Sequence, residues 1–294
     1  MKDELIRATA GDGKFRAFAV RTTELTEELR RRHHTTPTAT AALGRTAAAG
    51  VMMGAMMKGD ERLTVQVKGG GPIGQIVVDT NARGEVRGYV DNPAVDPPLN
   101  AKGKLDVSGA VGTDGFIYII RDLGLKEPYL GSTPIVSGEL AEDFTYYFAK
   151  SEQIPSVVAL GVLVDRDYTV KAAGGFIVQL LPGVSEEEIT RLEEKLGRIN
   201  SVTSLLNSGA TLDGILASIL EDVQVLDRMD VSFHCQCSRE RMERGLISLG
   251  REELQTILEE DGKMDLVCHF CNESYHFTDK EIEDVITKMG RDKG

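Results

Sequence analysis

Four cysteines carry the clearest chemistry in this 294-residue chain, and they occur as two close pairs. Cys235-Gln-Cys237 and Cys268-His-Phe-Cys271 are separated by thirty residues and use every cysteine in the sequence. Thiolates are strong ligands for Zn²⁺, which takes four sulfurs tetrahedrally in closed structural sites. Two ligands close in sequence form a chelating arm, and two arms complete the coordination sphere. C-x-x-C is the usual arm. C-x-C is tighter and rarer, so the combination is more diagnostic than an ordinary zinc-ribbon spacing. One Zn²⁺ on Cys235, Cys237, Cys268 and Cys271 is therefore expected. His234, His269 and His276 lie close in sequence and could each replace a sulfur, but four cysteines already fill the shell, so the histidines are placed outside it. A bare redox C-x-x-C lacks the βαβ surroundings such a motif needs. Four unconnected buried thiols is the blander alternative.

Two other clusters carry weaker signals. Gly69, Gly71 and Gly74 satisfy G-x-G-x-x-G, but the residues that follow, Gln75-Ile-Val-Val-Asp79, form a β-type run. A dinucleotide site needs a helix opening there, with its N-terminus aimed at the pyrophosphate. A wide glycine turn is the simpler reading. Arg30-Arg-Arg32 followed by His33 and His34 could bind an anion, although such runs are more often a solvated helix face. No hydrolase constellation stands out, and the chain is not expected to be an enzyme.

The charge of −12 is uneven: residues 1–182 carry 21 Lys/Arg against 22 Asp/Glu, and residues 183–294 carry 13 against 24. All the cysteines lie in the acidic part, which would repel a polyanion, so nucleic acid is disfavoured. The N-terminus, Met1-Lys-Asp-Glu-Leu-Ile, has no apolar signal-like run, and a cytoplasmic location is expected. Clustered thiols in a reducing compartment bind metal or do redox work more often than they form structural disulfides. Thr38–Met57 is apolar but interrupted by Arg45, which suits a buried helix better than a membrane span.

The elements that must position the cysteines follow from the patterning. The chain predicts an α+β fold: a mostly antiparallel N-terminal α/β region, a string of short helices, and a small third unit that bears the cysteines. Leu5–Ala10 and Phe15–Arg21 flank Gly11-Asp-Gly13, a hairpin signal. A polar helix over Glu24–Arg32 and the Ala/Met-rich helix follow. Strands are expected at Leu63–Lys68, Ile73–Asp79, Val86–Val90, Phe116–Arg121, Ile135–Gly138, Val157–Val164 and Val170–Leu181, with a helix over Asp143–Ser151. Pro182-Gly183 closes this first region, residues 1–183. Residues 184–230 read as a string of short amphipathic helices: Ser185 and Glu188 form a capping box, with Ile189, Leu192, Leu196 and Ile199 on one face. A packed helical subdomain and a mobile linker both fit that pattern. Residues 231–294 have few apolar positions, and a unit of about 60 residues buries little surface, a deficit that metal often makes good.

At the cysteines the sequence resembles the bacterial thirty-three-kilodalton heat-shock protein family, the redox-regulated holdase chaperones. Gly69-Gly-Gly-Pro-Ile-Gly74, Gly84-Glu-Val-Arg-Gly-Tyr-Val90, Val136-Ser-Gly-Glu-Leu140 and Ala173-Gly-Gly-Phe176 resemble that family as well. With length and domain order, the likeness covers essentially the whole chain. The resemblance implies an α/β N-terminal core, a helical linker over 184–230 and a zinc-binding redox-switch domain over 231–294, in an ATP-independent chaperone that is inactive when reduced and zinc-bound. It implies that oxidants with mild unfolding stress turn the thiols into disulfides, Cys235–Cys237 and Cys268–Cys271, eject Zn²⁺ and unfold switch and linker. It further implies unfolded or partly unfolded client proteins as partners and a homodimer in the activated form, with no nucleic acid and no membrane. The competing readings are a zinc-ribbon nucleic-acid-binding adaptor, which the acidic C-terminal third opposes, and an enzyme built on the glycine-rich region.

Overall fold

A computed structural model describes residues 1–199 and 201–291 of the chain. Two compact units divide it, Met1–His234 and Cys235–Gly294. Among the described residues there are ten helices and two large sheets, the mixed α+β class that the pattern predicts.

The first unit is built around one helix. α1 (Thr23–His33) leads into α2 (Pro37–Gly54), where Thr36 caps the N-terminus and Pro37 takes the first turn. Every residue of α2 except Pro37 and Arg45 is buried, and Arg45 is held by Glu139 at 3.0 Å. That pairing explains how a charge is accommodated in an otherwise apolar run. No helix among the described residues is long and apolar enough to cross a membrane.

The five-stranded sheet runs in the order β10 (Gln224–Asp230), β1 (Glu4–Ala10), β2 (Phe15–Arg21), β9 (Val170–Leu180), β8 (Ser156–Val164), with every pairing antiparallel. The six-stranded sheet runs β11 (Ser232–Phe233), β5 (Glu85–Val90), β4 (Gln75–Asn81), β3 (Arg62–Lys68), β6 (Phe116–Asp122), β7 (Tyr129–Pro134). It is antiparallel except at the β11–β5 edge. Leu5, Phe18 and Val20 of the first sheet and Val65, Ile76 and Ile119 of the second pack into one core with α2.

The other face of the five-stranded sheet carries a second core. α5 (Glu186–Gly197), α6 (Val202–Asn207) and α7 (Leu212–Ile219) set Leu192, Leu206 and Leu216 against Ile6, Ala8 and Phe176. Ser185 and Glu188 form the expected capping box, and Gly209 takes φ +86° after α6, as a helix stop should. Gly161 lets α6 approach: a Cβ there would lie 2.6 Å from Thr203 Cγ2 and 3.0 Å from Val202 Cγ1. The helical reading of 184–230 fails at its end, where Gln224–Asp230 is a strand on β1.

A second difference lies at Ile135–Gly138, expected as a strand. The strand is Tyr129–Pro134 instead, and the following loop wraps a buried carboxylate. Asp143, in α4 (Ala141–Lys150), accepts hydrogen bonds from the amides of Val136 at 2.8 Å, Ser137 at 2.9 Å and Leu140 at 3.0 Å. A carboxylate that takes three backbone donors outcompetes a strand ladder for them. Phe144, Tyr147 and Phe148 of α4 turn inward.

The second unit is small. α8 (Arg239–Leu249), α9 (Arg251–Glu260), the hairpin of β12 (Lys263–Val267) and β13 (Ser274–Thr278), and α10 (Asp279–Arg291) enclose Leu246, Leu254, Phe277, Ile282, Val285 and Ile286. Those six buried side chains are its hydrophobic core.

Candidate metal centre

The cysteine centre forms within the second unit. Cys235 and Cys237 lie on the extended stretch before Ser238, whose hydroxyl accepts from Arg241 N and caps α8. Cys268 and Cys271 sit on the turn between β12 and β13. Its amides fold back, with Cys271 N on Cys268 O at 3.3 Å and Asn272 N on the same carbonyl at 2.8 Å, while Cys268 N reaches Glu273 O at 2.9 Å. Asn272 takes φ +58°, a left-handed conformation that Asn tolerates better than most side chains. That residue closes the turn and aims both sulfurs to one side.

The four Sγ atoms lie within 4.8 Å of one another, the one cluster of this kind among the described residues. Cys237 and Cys271 approach to 3.3 Å, and Cys235 and Cys268 to 3.8 Å. Zinc–sulfur bonds of about 2.3 Å in a tetrahedron put the sulfurs about 3.8 Å apart, so the cluster has the size of a tetrathiolate site. Burial pushes the Cys268 and Cys271 thiols up from their ordinary range, most strongly at Cys271. A divalent cation held between the sulfurs reverses that balance and draws the protons off. The donor set and its spacing therefore fit a thiophilic metal ion.

Tyr275 is a member of this centre that the sequence reading missed. Its hydroxyl donates to Cys237 Sγ at 3.2 Å, and that hydrogen bond, with burial second, raises the phenol above its usual range. The alternation of β13 could have suggested it, because Tyr275 and Phe277 share the strand's inner side. Arg239 ties the unit together from outside: its guanidinium stacks on Phe277 at 4.5 Å and donates to His276 O at 2.7 Å and to Glu281 at 2.6 Å. His276 is exposed and pairs with Asp265, and His269 is exposed as well. Neither joins the sulfur cluster.

The Hsp33 protein family profile matches residues 3–278 of the chain. The chain belongs to the Hsp33 family. Among curated Hsp33 relatives, the 33 kDa chaperonin of Geobacillus kaustophilus is 55% identical over 287 residues, covering 97% of this chain and 98% of that protein. The 33 kDa chaperonin of Bacillus subtilis is 54% identical over 282 residues, covering 96% and 97%. A crystal structure of the Hsp33 homologue from Thermotoga maritima superposes with a TM-score of 0.93 at 38% identity, over 99% of this chain and 100% of that one. The sequence motifs assigned to Hsp33 take structural roles in this fold. Gly69 and Gly71 seat the loop on α3 (Val107–Val111), where a Cβ at Gly71 would lie 2.4 Å from Ala110 O. Gly71 N bonds to Val111 O at 2.9 Å, and a strand rather than a helix follows. The arginine run is paired within its own helix: Arg30 pairs with Glu27, and Arg31 and Arg32 share Glu28.

Proposed function

We propose that this protein is a redox-regulated, ATP-independent holdase. In this reading it is inactive when reduced and zinc-bound, and oxidation of Cys235, Cys237, Cys268 and Cys271 activates it to hold unfolding clients. The observation that carries the reading is the gathering of all four sulfurs within 4.8 Å inside a unit whose core is six side chains. Zn²⁺ held there would supply folding free energy, ~10–16 kcal/mol apparent in small zinc peptides. Each disulfide forms when two thiols give two electrons and two protons to hydrogen peroxide, which leaves as two waters. The proposed pairs, Cys235–Cys237 and Cys268–Cys271, close very short loops. Loop-closure entropy returns only about 2 kcal/mol from each, far less than the metal supplied. Oxidation is then a denaturing signal for the C-terminal unit.

Functionally we divide the chain into a chaperone core over residues 1–183, a linker over 184–230 and a redox switch over 231–294. Support for the linker comes from the separate apolar cluster its helices form on one sheet face. The proposed setting is the cytoplasm. The proposed partners are unfolded proteins, together with a second copy of the chain once activated, with no nucleic acid or membrane. The net charge of −12 opposes the nucleic-acid adaptor reading.

An aggregation assay tests the proposal. Peroxide with warming is expected to release one zinc per chain to a chromogenic chelator and to switch on suppression of client light scattering. Full suppression by reduced, zinc-loaded protein at ordinary temperature would refute the switch. Disulfide mapping by mass spectrometry checks the pairs, because the close sulfur approaches of the reduced cluster, Cys237 to Cys271 at 3.3 Å and Cys235 to Cys268 at 3.8 Å, cross between the two arms.

A further inference from the structure

The segment just before Cys235 supplies the terminal strand of each large sheet, β10 on β1 and the two-residue β11 on β5. β10 pairs with β1 from Glu4↔Asp230 to Thr9↔Gln224, with a register shift between Arg7 and Ala8. The chain then crosses to the second sheet. Val231 N bonds to Asp3 O at 3.2 Å, Ser232 N to Gly84 O at 3.1 Å and His234 N to Val86 O at 2.9 Å. Phe233 lies beneath the Arg32 guanidinium at 4.4 Å. Cys235 is the next residue.

The hold of β10 is weak for a strand of seven residues. None of its side chains is buried, and Leu226 is 58% exposed. Its ion pairs, Lys2–Asp230 at 2.6 Å, Arg7–Asp227 at 3.7 Å and Arg228 with Glu4 and Asp213, are all solvated, and such pairs contribute little. Main-chain hydrogen bonds are left as its chief attachment. β1 beneath it is the opposite case, with Leu5, Ile6, Ala8 and Ala10 buried. Met229 of β10 leans on one core and Val225 on the other, so this edge accepts apolar side chains on both faces.

From this we infer that the edge of β1 held by β10 is a docking site for an extended, unfolded polypeptide segment, which adds there as a strand when residues 224–234 let go. It rests on the chaperone reading above and names how that site takes its clients. Strand addition draws its affinity from the main chain and asks of the side chains only that some be apolar, which suits clients of unrelated sequence. The strands at the opposite ends of the two sheets, β7 and β8, serve less well. β7 ends in Pro134, which lacks a donor, and in β8 the Val158 amide is taken by Thr145 Oγ1 at 3.2 Å.

Hydrogen exchange on the full chain tests this, with a reduced and carboxymethylated, permanently unfolded small protein as the probe. Oxidised protein alone is expected to lose protection at 224–234 and at the amides of 4–10 that face β10. Adding the probe is expected to slow exchange at those β1 amides by about tenfold or more, consistent with a re-formed ladder, while 129–134 and 156–164 stay unchanged. A synthetic peptide copying residues 222–231 is expected to weaken probe capture about twofold or more at millimolar concentration, by competing for the same edge, where a scrambled peptide does not. Probe capture without slowed exchange at 4–10, or protection of 224–230 that survives oxidation, overturns the docking site and leaves the chaperone reading standing. An oxidised protein that captures no probe sinks both.

Discussion

A thiol that burial keeps protonated becomes a ligand only by losing its proton, so metal uptake at Cys268 and Cys271 must release protons. Zinc affinity is therefore expected to rise with pH across the neutral range, measured by competition with a chelating dye, with proton release visible in weakly buffered solution. Cys271→Ser removes a proposed ligand and, if the cluster holds zinc as proposed, is expected to lower zinc affinity by more than about a hundredfold, beyond the 10–100-fold typical of an outer hydrogen-bonding partner. Away from the metal centre, Asp3 performs the capping that Thr22 does not. Its buried carboxyl accepts from Leu25 N at 2.7 Å in the first turn of α1. Burial outweighs these amides and raises its pKa from 3.8 to about 6. A raised folded pKa means the contribution to stability is complete below pH ~4 and is lost as pH climbs through ~6. Asp3→Asn keeps an acceptor and removes the buried charge. It is expected to stabilise the first unit by about 2 kcal/mol at pH 7.5, after allowing for a weaker helix-dipole term, and to give no gain at pH 4. Thermal melts at the two pH values check it.

Among the elements, α6 depends on the absence of a side chain at Gly161. Gly161→Val drives a branched side chain into Val202 and Thr203, and overpacking of that kind costs about 1–3 kcal/mol. The expected outcome is faster exchange across 201–220 and a lower activation temperature, with the six-stranded sheet unaffected. How much of this was legible varies by element, for physical reasons. The β1–β2 hairpin, the Ser185 cap and the helix behind it were readable because turn chemistry, capping and periodicity are local. β10 was not, because neither of its faces is buried: Gln-Val-Leu-Asp-Arg-Met-Asp has no alternation to show, and the edge of β1 makes it a strand. The strand expected at Ile135–Gly138 failed because Asp143 claims its amides from further along the chain. The cysteine cluster was readable because two pairs already sit together in sequence. Tyr275 was not, because its contact with Cys237 spans 38 positions.

For the molecule as a whole, the two units differ sharply in what holds them. The first has two extensive cores on either side of a sheet, and the second has six buried side chains and a sulfur cluster. Stripping metal from reduced protein with a strong chelator is therefore expected to melt 235–294 while 1–183 keeps its amide protection. Exchange measured by mass spectrometry before and after chelation decides it, and retained protection throughout 235–294 would show that the small core suffices alone. Helices 184–220 are the informative boundary. They pack on the first unit's sheet, yet each is short enough to be marginal by itself.

The hydrogen bond from Tyr275 to Cys237 also gives the protein a built-in optical signal. The chain has seven tyrosines and no tryptophan, so tyrosine emission is not drained to an indole acceptor. A phenol that donates to a sulfur 3.2 Å away is expected to be quenched by that contact. When the cluster comes apart the contact breaks, and emission near 300 nm, a wavelength typical of solvated phenols in general, should brighten. The proposed switch could thus be timed in a stopped-flow instrument without any dye, with Tyr275→Phe as the trace expected to stay flat.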